Sequence, residues 1–396
     1  MIHLIVFSHL RWDFVYQRPQ HLLSRLASHF EVVVLEEPIP HAKEDRLERI
    51  DPAPNVRVLR PHLTGEAHGF HDEHIPKLRQ LLEAYVAEEA IEDYWTWYYT
   101  PMALPLAAGL DPLGTVYDCM DELSAFRHAP KQLLQRESAL LKEADLVFTG
   151  GASLYEAKCG RHPDVHCFPS SVDAAHFSRA GRPLPANDEE HPAQAHVGRP
   201  RLGFFGVIDE RIDLDLIAAI ADARPEWQLI MVGPVVKIDP ASLPQRQNIQ
   251  WLGQRSYAEL PDLVAGWDVC LLPFALNEST RFISPTKTLE YLAADRPAVS
   301  TPIHDVVRGY TGVVSIAGDH QGFIDACQAA LDQSPEERAR SSMARAEVVA
   351  ATSWDRTAAS MTALMRDAQA RRSGRLLPGG LGYPEPLVHA ARTLQA

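Results

Sequence analysis

The run Ser284-Pro-Thr-Lys-Thr-Leu-Glu290 sets a lysine and a glutamate three residues apart behind a proline. Pro285 suits the opening turn of a helix, because the amide it lacks would be unpaired there. The first-turn amides of Thr286 and Lys287 then have no acceptor within the helix, and with the lysine charge they make an anion site. Glu290 falls on the face of Lys287, and its two acceptor oxygens suit the diol of a ribose. Amides and a cation for a diphosphate, with a carboxylate for a ribose, describe a nucleotide-sugar site. The same spacing also fits a capped surface helix with a Lys–Glu pair, and spacing alone leaves both open.

Other residues suggest an acceptor site. Asp118 and Asp121 stand at the end of the apolar run Thr115-Val-Tyr-Asp118. That position suits a general base or an acceptor-binding carboxylate, and equally a cap on the next segment. Arg18 and His21 flank Pro19 at a helix start, within reach of an acceptor or a phosphate. Trp12 offers a face for stacking on a sugar ring. Each also reads as an ordinary structural residue. His68-Gly-Phe-His71-Asp-Glu-His74 clusters metal-type side chains, but it lies in a loop-like stretch far from the other motifs, and no metal site is expected. Gly150-Gly151 reads as a tight strand–helix turn. Lys77 and Arg79, with Glu73 and Glu83 nearby, read as a solvated helix face.

These residues need a scaffold, and the hydrophobic pattern supplies one. Short apolar runs at 2–7, 31–36, 56–59, 94–99, 115–118 and 145–149 alternate with helical patterns at 20–29, 75–90 and 131–143. A second series of runs covers 201–206, 227–232, 249–252, 269–272, 298–300 and 313–316, closed by helical patterns over 335–350 and 354–371. Alternation of this kind argues for βαβ units in parallel sheets covered on both faces. Between the two series, 179–201 is rich in proline and acid and has no apolar period, as expected of a linker. The expected division is a first Rossmann-like half over 1–180, a linker over 181–200, and a second Rossmann-like half over 201–354. Two such doubly wound domains facing across a cleft bind ligands at the carboxyl ends of their strands.

Composition narrows the partners. Acidic residues outnumber basic ones 52 to 38, a formal charge of −14, so there is no electrostatic case for coating nucleic acid or an anionic membrane. Five scattered cysteines without a C-x-x-C pair fit a reducing compartment and free thiols. The first residues lack a basic leader and a cleavage site. The longest candidate span, 97–110, is broken by Pro101 and Pro105. A cytoplasmic protein, at most in peripheral contact with the inner face of the membrane, is expected.

The order of the motifs adds to this. Residues 284–300 resemble the donor-binding segment "P-x-K-x-x-E-Y-L-A-x-x-x-P-V-V-S" of GT-B glycosyltransferases of family 4 (group 1). Pro169-Ser-Ser-Val-Asp173 with Phe177 resembles that family's "P-N-G-V-D-x-x-x-F" signature. Phe204-Phe-Gly206, Met231-Val-Gly233, Leu252-Gly253, 267–273 and Ser353-Trp354 resemble its later landmarks in order. Arg11-Trp-Asp-Phe-Val-Tyr-Gln-Arg-Pro-Gln20, with Tyr117-Asp118 and Asp121, resembles the teichuronic-acid and capsule-type subgroup. The resemblance covers about 2–371. It implies an acceptor domain over 1–180, completed by about 355–396 through a last helix crossing back to it, and a donor domain over 201–354 whose site is Gly206, Arg211, Gly233, Leu252, Pro285, Thr286, Lys287 and Glu290. It implies catalysis by Asp118, Asp121 and Lys287, with Trp12, Arg18 and His21 toward the acceptor. The donor would be a UDP- or GDP-sugar, the acceptor a glycan or lipid-linked glycan, and no cofactor or metal is required. The sequence departs from the family pattern in three places. Phe282 stands where the first glutamate of E-x7-E belongs, Val207 where an arginine usually follows the glycine, and Asp118 where the N-domain histidine is usual. A nucleotide-sugar epimerase and a non-catalytic nucleotide-sugar or glycan-binding relative are the alternatives.

Overall fold

The computed structural model describes residues 1–127, 129–178 and 190–374. The chain forms two compact units, one of Met1–Pro169 with the segment from Trp354 on, the other of Ser170–Ser353. Most of the proline-rich stretch, 179–189, lies outside the described residues, as does the glycine- and proline-rich tail over 375–396.

The first unit holds an eight-stranded sheet. Its strands are β1 (Ile2–Ser8), β2 (Phe30–Glu36), β3 (Arg46–Ala53), β4 (Val56–His62), β5 (Tyr94–Tyr98), β6 (Gly114–Cys119), β7 (Leu146–Thr149) and β8 (Val165–Cys167), in the order β3-β4-β2-β1-β5-β6-β7-β8. All neighbours are parallel except β3 and β4. The parallel strands other than β8 are the apolar runs of the sequence, largely buried; β8 is short and half-buried. β3 escapes a search for such runs because Arg46, Glu48, Arg49 and Asp51 line it; it is the edge strand, mostly open to solvent. The helix Trp354–Arg372 belongs to this unit. It buries Trp354, Ala358, Met361, Met365 and Ala368, a stripe repeating every three or four residues, against Leu22, Leu23 and Leu26 of the helix Arg18–Leu26.

The second unit is an all-parallel sheet of β9 (Arg201–Phe205), β10 (Gln228–Val232), β11 (Ile249–Gly253), β12 (Val269–Leu272), β13 (Ala298–Ser300) and β14 (Ser315–Ile316). The order is β11-β10-β9-β12-β13-β14. Strand order therefore reverses between β9 and β12, and the crevice outside their carboxyl ends is where a doubly wound sheet binds ligands. All five cysteines are free thiols, with Cys119, Cys270 and Cys327 buried. Among the described residues no helix is long and apolar enough to cross a membrane.

Candidate functional site

The carboxyl ends of β9, β10 and β11 are knit together by glycines. The Gly206 amide donates to Val232 O at 2.9 Å, and the Gly233 amide to Gly253 O at 2.8 Å. Gly206 and Gly233 sit at φ of +138° and +145°, where side chains are strained. A Cβ on Gly233 would lie 1.8 Å from Gly206 O, and one on Gly206 would lie 2.8 Å from Cε of Lys287. The first glycine makes room for its neighbour's backbone, the second for the lysine. Leu252 packs on the core of the unit beside these ends.

The loop after β9 runs antiparallel to the loop after β12. Ile212 bridges Phe274, the Asp213 amide donates to Pro273 O at 2.9 Å, and the Ala275 amide donates to Arg211 O at 2.8 Å. Arg211 is thereby carried to the end of β12, beside the reversal of strand order.

The helix expected behind Pro285 spans Thr286–Ala293. Pro285 is its N-cap rather than its first residue, and Pro285 O accepts the Thr288 amide at 3.0 Å. The Thr286 hydroxyl donates to Ser170 Oγ at 3.2 Å, and Ser170 Oγ donates to Ser284 O at 3.2 Å, which fixes the approach to the helix. One turn on, Tyr291 is fully buried and its hydroxyl accepts the Phe205 amide at 3.1 Å. That bond seats the helix over the end of β9.

Lys287 and Glu290 are not a surface pair. The Lys287 ammonium lies 5.4 Å from the ring centroid of Phe204 and 5.2 Å from that of Phe274, in cation–π geometry. Among the described residues it makes no hydrogen bond or ion pair, and neither does the Glu290 carboxylate, which is 5% exposed. Burial, aided by repulsion from Arg211, pulls the Lys287 ammonium down to about 8, against the pull of Glu290 and Asp209. Burial pushes the Glu290 carboxyl up to about 7, against Lys287. A carboxylate this little exposed and without a donor calls for an explanation. A cation with no ion pair and a carboxylate with no donor stand one turn apart at a helix start, an arrangement that suits a ligand carrying an anion and hydroxyls.

The first unit places its expected residues differently. Asp118, on β6, has no exposed surface, and Arg18 is 2% exposed. Arg18 donates to Asp118 from Nε at 3.1 Å and Nη2 at 2.8 Å, and from Nη1 to Phe168 O at 2.7 Å. Asp118 keeps the buried guanidinium charged, outweighing the effect of burial. Asp118, expected as a base, an acceptor-binding carboxylate or a cap, and Arg18, expected toward the acceptor or a phosphate, face each other in a closed internal pair. His21 is 1% exposed, stacked on Trp354 at 4.9 Å with Tyr16 edge-on at 4.7 Å, so its ring serves the packing of the two helices. Trp12 packs partly buried on the core, and its amide donates to Glu36 Oε1 at 2.6 Å. Asp121 is half-buried, and its carbonyl accepts the Cys119 thiol at 3.6 Å. In the histidine-rich loop, His74 Nε2 lies 2.8 Å from Ala67 O, and the Glu73 amide donates to His71 Nδ1 at 3.3 Å.

Sequence reasoning missed several contributors. Glu36, fully buried, holds the loop after β1 through Arg11 at 3.1 Å, Arg60 at 2.8 Å and the Trp12 amide. Phe204, Phe274, Tyr291 and Asp209 shape the surroundings of Lys287 and Arg211. Phe204 and Tyr291 lie within the motifs of the sequence, but nothing there gave either a place beside the lysine or at the helix seat, and Asp209 reads as part of a solvated turn.

The Arg18–Asp118 pair makes a prediction. Breaking a buried pair strands one charge, at about 3–5 kcal/mol. Asp118→Ala is therefore expected to lower the thermal midpoint steeply, while Asp118→Asn, which keeps the shape and one acceptor, recovers part of it. A wild-type melting curve with lost turnover would instead make Asp118 a base.

Residues 199–333 match the family described as glycosyl transferases group 1. The chain is 27% identical over 286 residues, 66% of its length and 70% of the other, to the protein assigned as teichuronic acid biosynthesis glycosyltransferase TuaH of Bacillus subtilis (strain 168). Sucrose-phosphate synthase (tll1590) from Thermosynechococcus elongatus superposes with a TM-score of 0.70 at 17% identity, covering 94% of this chain and all of that one. Anabaena Alr3699/HepE, solved in complex with UDP and glucose, superposes with a TM-score of 0.63 at 14% identity, covering 95% of this chain and all of that one. Residues 199–333 therefore carry a match to the group 1 glycosyl transferases, within a chain of the GT-B fold.

Proposed function

We propose that the crevice of the second unit binds a nucleoside diphosphate sugar, a UDP- or GDP-sugar, and that the enzyme passes its sugar to a glycan or lipid-linked glycan of the cell surface. The observation that carries this reading is the pair of a half-buried Lys287 and a buried Glu290, one turn apart and without a hydrogen bond or ion pair among the described residues. In it, Lys287, Arg211 and the amides of Thr286 and Lys287 receive the diphosphate, while Glu290 accepts from the ribose hydroxyls. Gly206 and Gly233 leave room for the approach, and Leu252 backs the crevice. The UDP in the Anabaena neighbour and the teichuronic-acid assignment of the bacterial relative are consistent with it.

Chemistry follows from charge. When the glycosidic bond breaks, the electron pair stays with the diphosphate, and cations held in advance beside it stabilise the leaving group without reorganising. Two positive side chains and a helix start fill the place a divalent cation takes in other transferases, so we assign a metal-independent reaction. Asp121, half-buried where Asp118 is closed, is the carboxylate we assign to the acceptor. A peripheral place at the inner face of the cytoplasmic membrane suits a lipid-linked acceptor.

Incubation with a panel of UDP- and GDP-sugars tests the reading. One of them is expected to release its nucleoside diphosphate slowly without acceptor, and EDTA is expected to change the rate by no more than a few-fold. Interconversion of sugars would make the protein an epimerase, and binding without release would make it a non-catalytic relative. An absolute need for Mg²⁺ or Mn²⁺ would overturn the assignment of the charge to Lys287 and Arg211.

A further inference from the structure

Asp209 lies in the loop after β9, 3% exposed, with a carboxylate turned entirely to Arg211. Arg211 Nε donates to its two oxygens at 2.9 and 3.1 Å, Nη2 donates at 2.8 Å, and the Arg211 amide donates at 3.0 Å. A buried carboxylate beside an anion site opposes the ligand that the site collects, so its presence calls for a reason. Geometry supplies one. The Nε edge of the guanidinium is committed to Asp209, which fixes the plane of the fork and turns Nη1 away from the carboxylate. The Arg211 carbonyl is held as well, by the Ala275 amide at 2.8 Å.

The charges around Lys287 supply a second reason. The loop after β9 brings Arg211, which repels the ammonium, and Asp209, which attracts it; the lysine's own helix brings Glu290. The loop after β12 brings Pro273, Phe274 and Ala275, none of them titratable. Two cations that must meet one diphosphate also repel each other before it arrives. A carboxylate buried beside them offsets that repulsion.

We propose that Asp209 is a positioning residue for the donor diphosphate, fixing the Arg211 fork and offsetting the repulsion between Arg211 and Lys287. It acts through these two cations and touches no substrate atom. The proposal rests on the diphosphate reading of the crevice, and its test separates the two.

The measurements are UDP affinity between pH 7 and 9.5, turnover of the UDP- or GDP-sugar that the panel identifies, and melting temperature. The variants are Asp209→Asn, Arg211→Ala, the double variant, and Lys287→Ala as control. Wild-type affinity is expected to fall above about pH 8 as Lys287 loses its proton. In Asp209→Asn, with the carboxylate charge gone, that fall moves to lower pH by about one unit, and turnover drops about tenfold. In the Arg211→Ala background the same substitution costs turnover less than about twofold, as expected of a residue acting through Arg211. A purely structural role would lower the melting temperature and leave the alkaline limb in place. An unmoved limb, or equal turnover losses in both backgrounds, overturns the proposal. If Lys287→Ala binds UDP as wild type does, the diphosphate reading itself falls; if Lys287→Ala weakens UDP while Asp209→Asn changes neither limb nor turnover, only the role of Asp209 falls. Should Asp209→Asn not fold, Asp209→Glu keeps the charge and shifts the fork by a methylene. That variant is expected to keep the limb and lose turnover, and unchanged turnover overturns the proposal.

Discussion

Lys287→Ala lowers turnover of the nucleotide sugar by about a hundred- to a thousandfold, the scale seen when one preorganised donor to a developing charge is removed. The expectation comes from where the ammonium sits. It has no counter-ion of its own and lies between the rings of Phe204 and Phe274, in surroundings where a charge acts with little screening. Negative charge grows on the diphosphate as the glycosidic bond breaks, so the loss falls more on kcat than on donor binding. The free nucleoside, which carries no phosphate, should bind the variant as it binds wild type. Stability should not suffer. The lysine holds its proton less tightly when folded, at about 8 against an ordinary 10.5. Its charged form therefore costs the native state stability at neutral pH, a cost that fades as pH rises from about 8 towards 10.5. Removing it leaves the melting temperature at pH 7 unchanged or higher. A solvent-facing i,i+3 pair would be worth about 0.2–0.5 kcal/mol and nothing in turnover. Wild-type turnover in Lys287→Ala would therefore remove this helix from the reaction.

What was legible in the sequence depended on how local the cause was. The parallel strands are continuous apolar runs, so β1, β2, β9, β10 and β12 stood out. β3, lined by charged residues at an edge, and β8, three residues long, did not. Lys287 and Glu290 were legible because helical spacing alone puts them on one face. How far they leave solvent was not, because Phe204 and Phe274, which face the Lys287 ammonium, arrive from elsewhere in the chain. Asp118 shows the same limit with the opposite outcome. Its place at a strand end was readable, but the arginine that closes it off lies 100 residues away. Asp209 was hidden differently: Asp-Glu-Arg after a strand reads as a solvated turn until both side chains are seen in one crevice. Pairings local in sequence were thus readable as geometry, and their desolvation, which decides between surface pair and ligand site, was a property of the fold.

Glu290→Ala raises the dissociation constant of the nucleotide sugar by about ten- to a hundredfold. Hydrogen bonds to a charged acceptor are worth about 1.5–3 kcal/mol, and each 1.4 kcal/mol is tenfold. The ribose diol is the same in substrate and transition state, so kcat at saturating donor stays near wild type, the reverse of Lys287→Ala. Inorganic pyrophosphate, which has no ribose, should bind the variant unchanged. Acid pH should mimic the substitution. The carboxyl sits at about 7, and only its ionised form accepts from both hydroxyls, so wild-type affinity falls as pH drops below about 7. A nucleotide sugar is the proper probe, since its diphosphate is esterified at both ends and does not titrate there. In the variant that acid limb disappears. Stability moves the other way. A carboxyl whose value rises on folding, from an ordinary 4.5 to about 7, binds its proton more tightly in the native state. The native state thus loses stability as pH climbs between those values. Glu290→Gln removes that loss and is expected to melt at or above the wild-type temperature at pH 8 while binding donor poorly. A variant that melts early with its donor affinity intact would make Glu290 a structural group and leave the ribose without its partner.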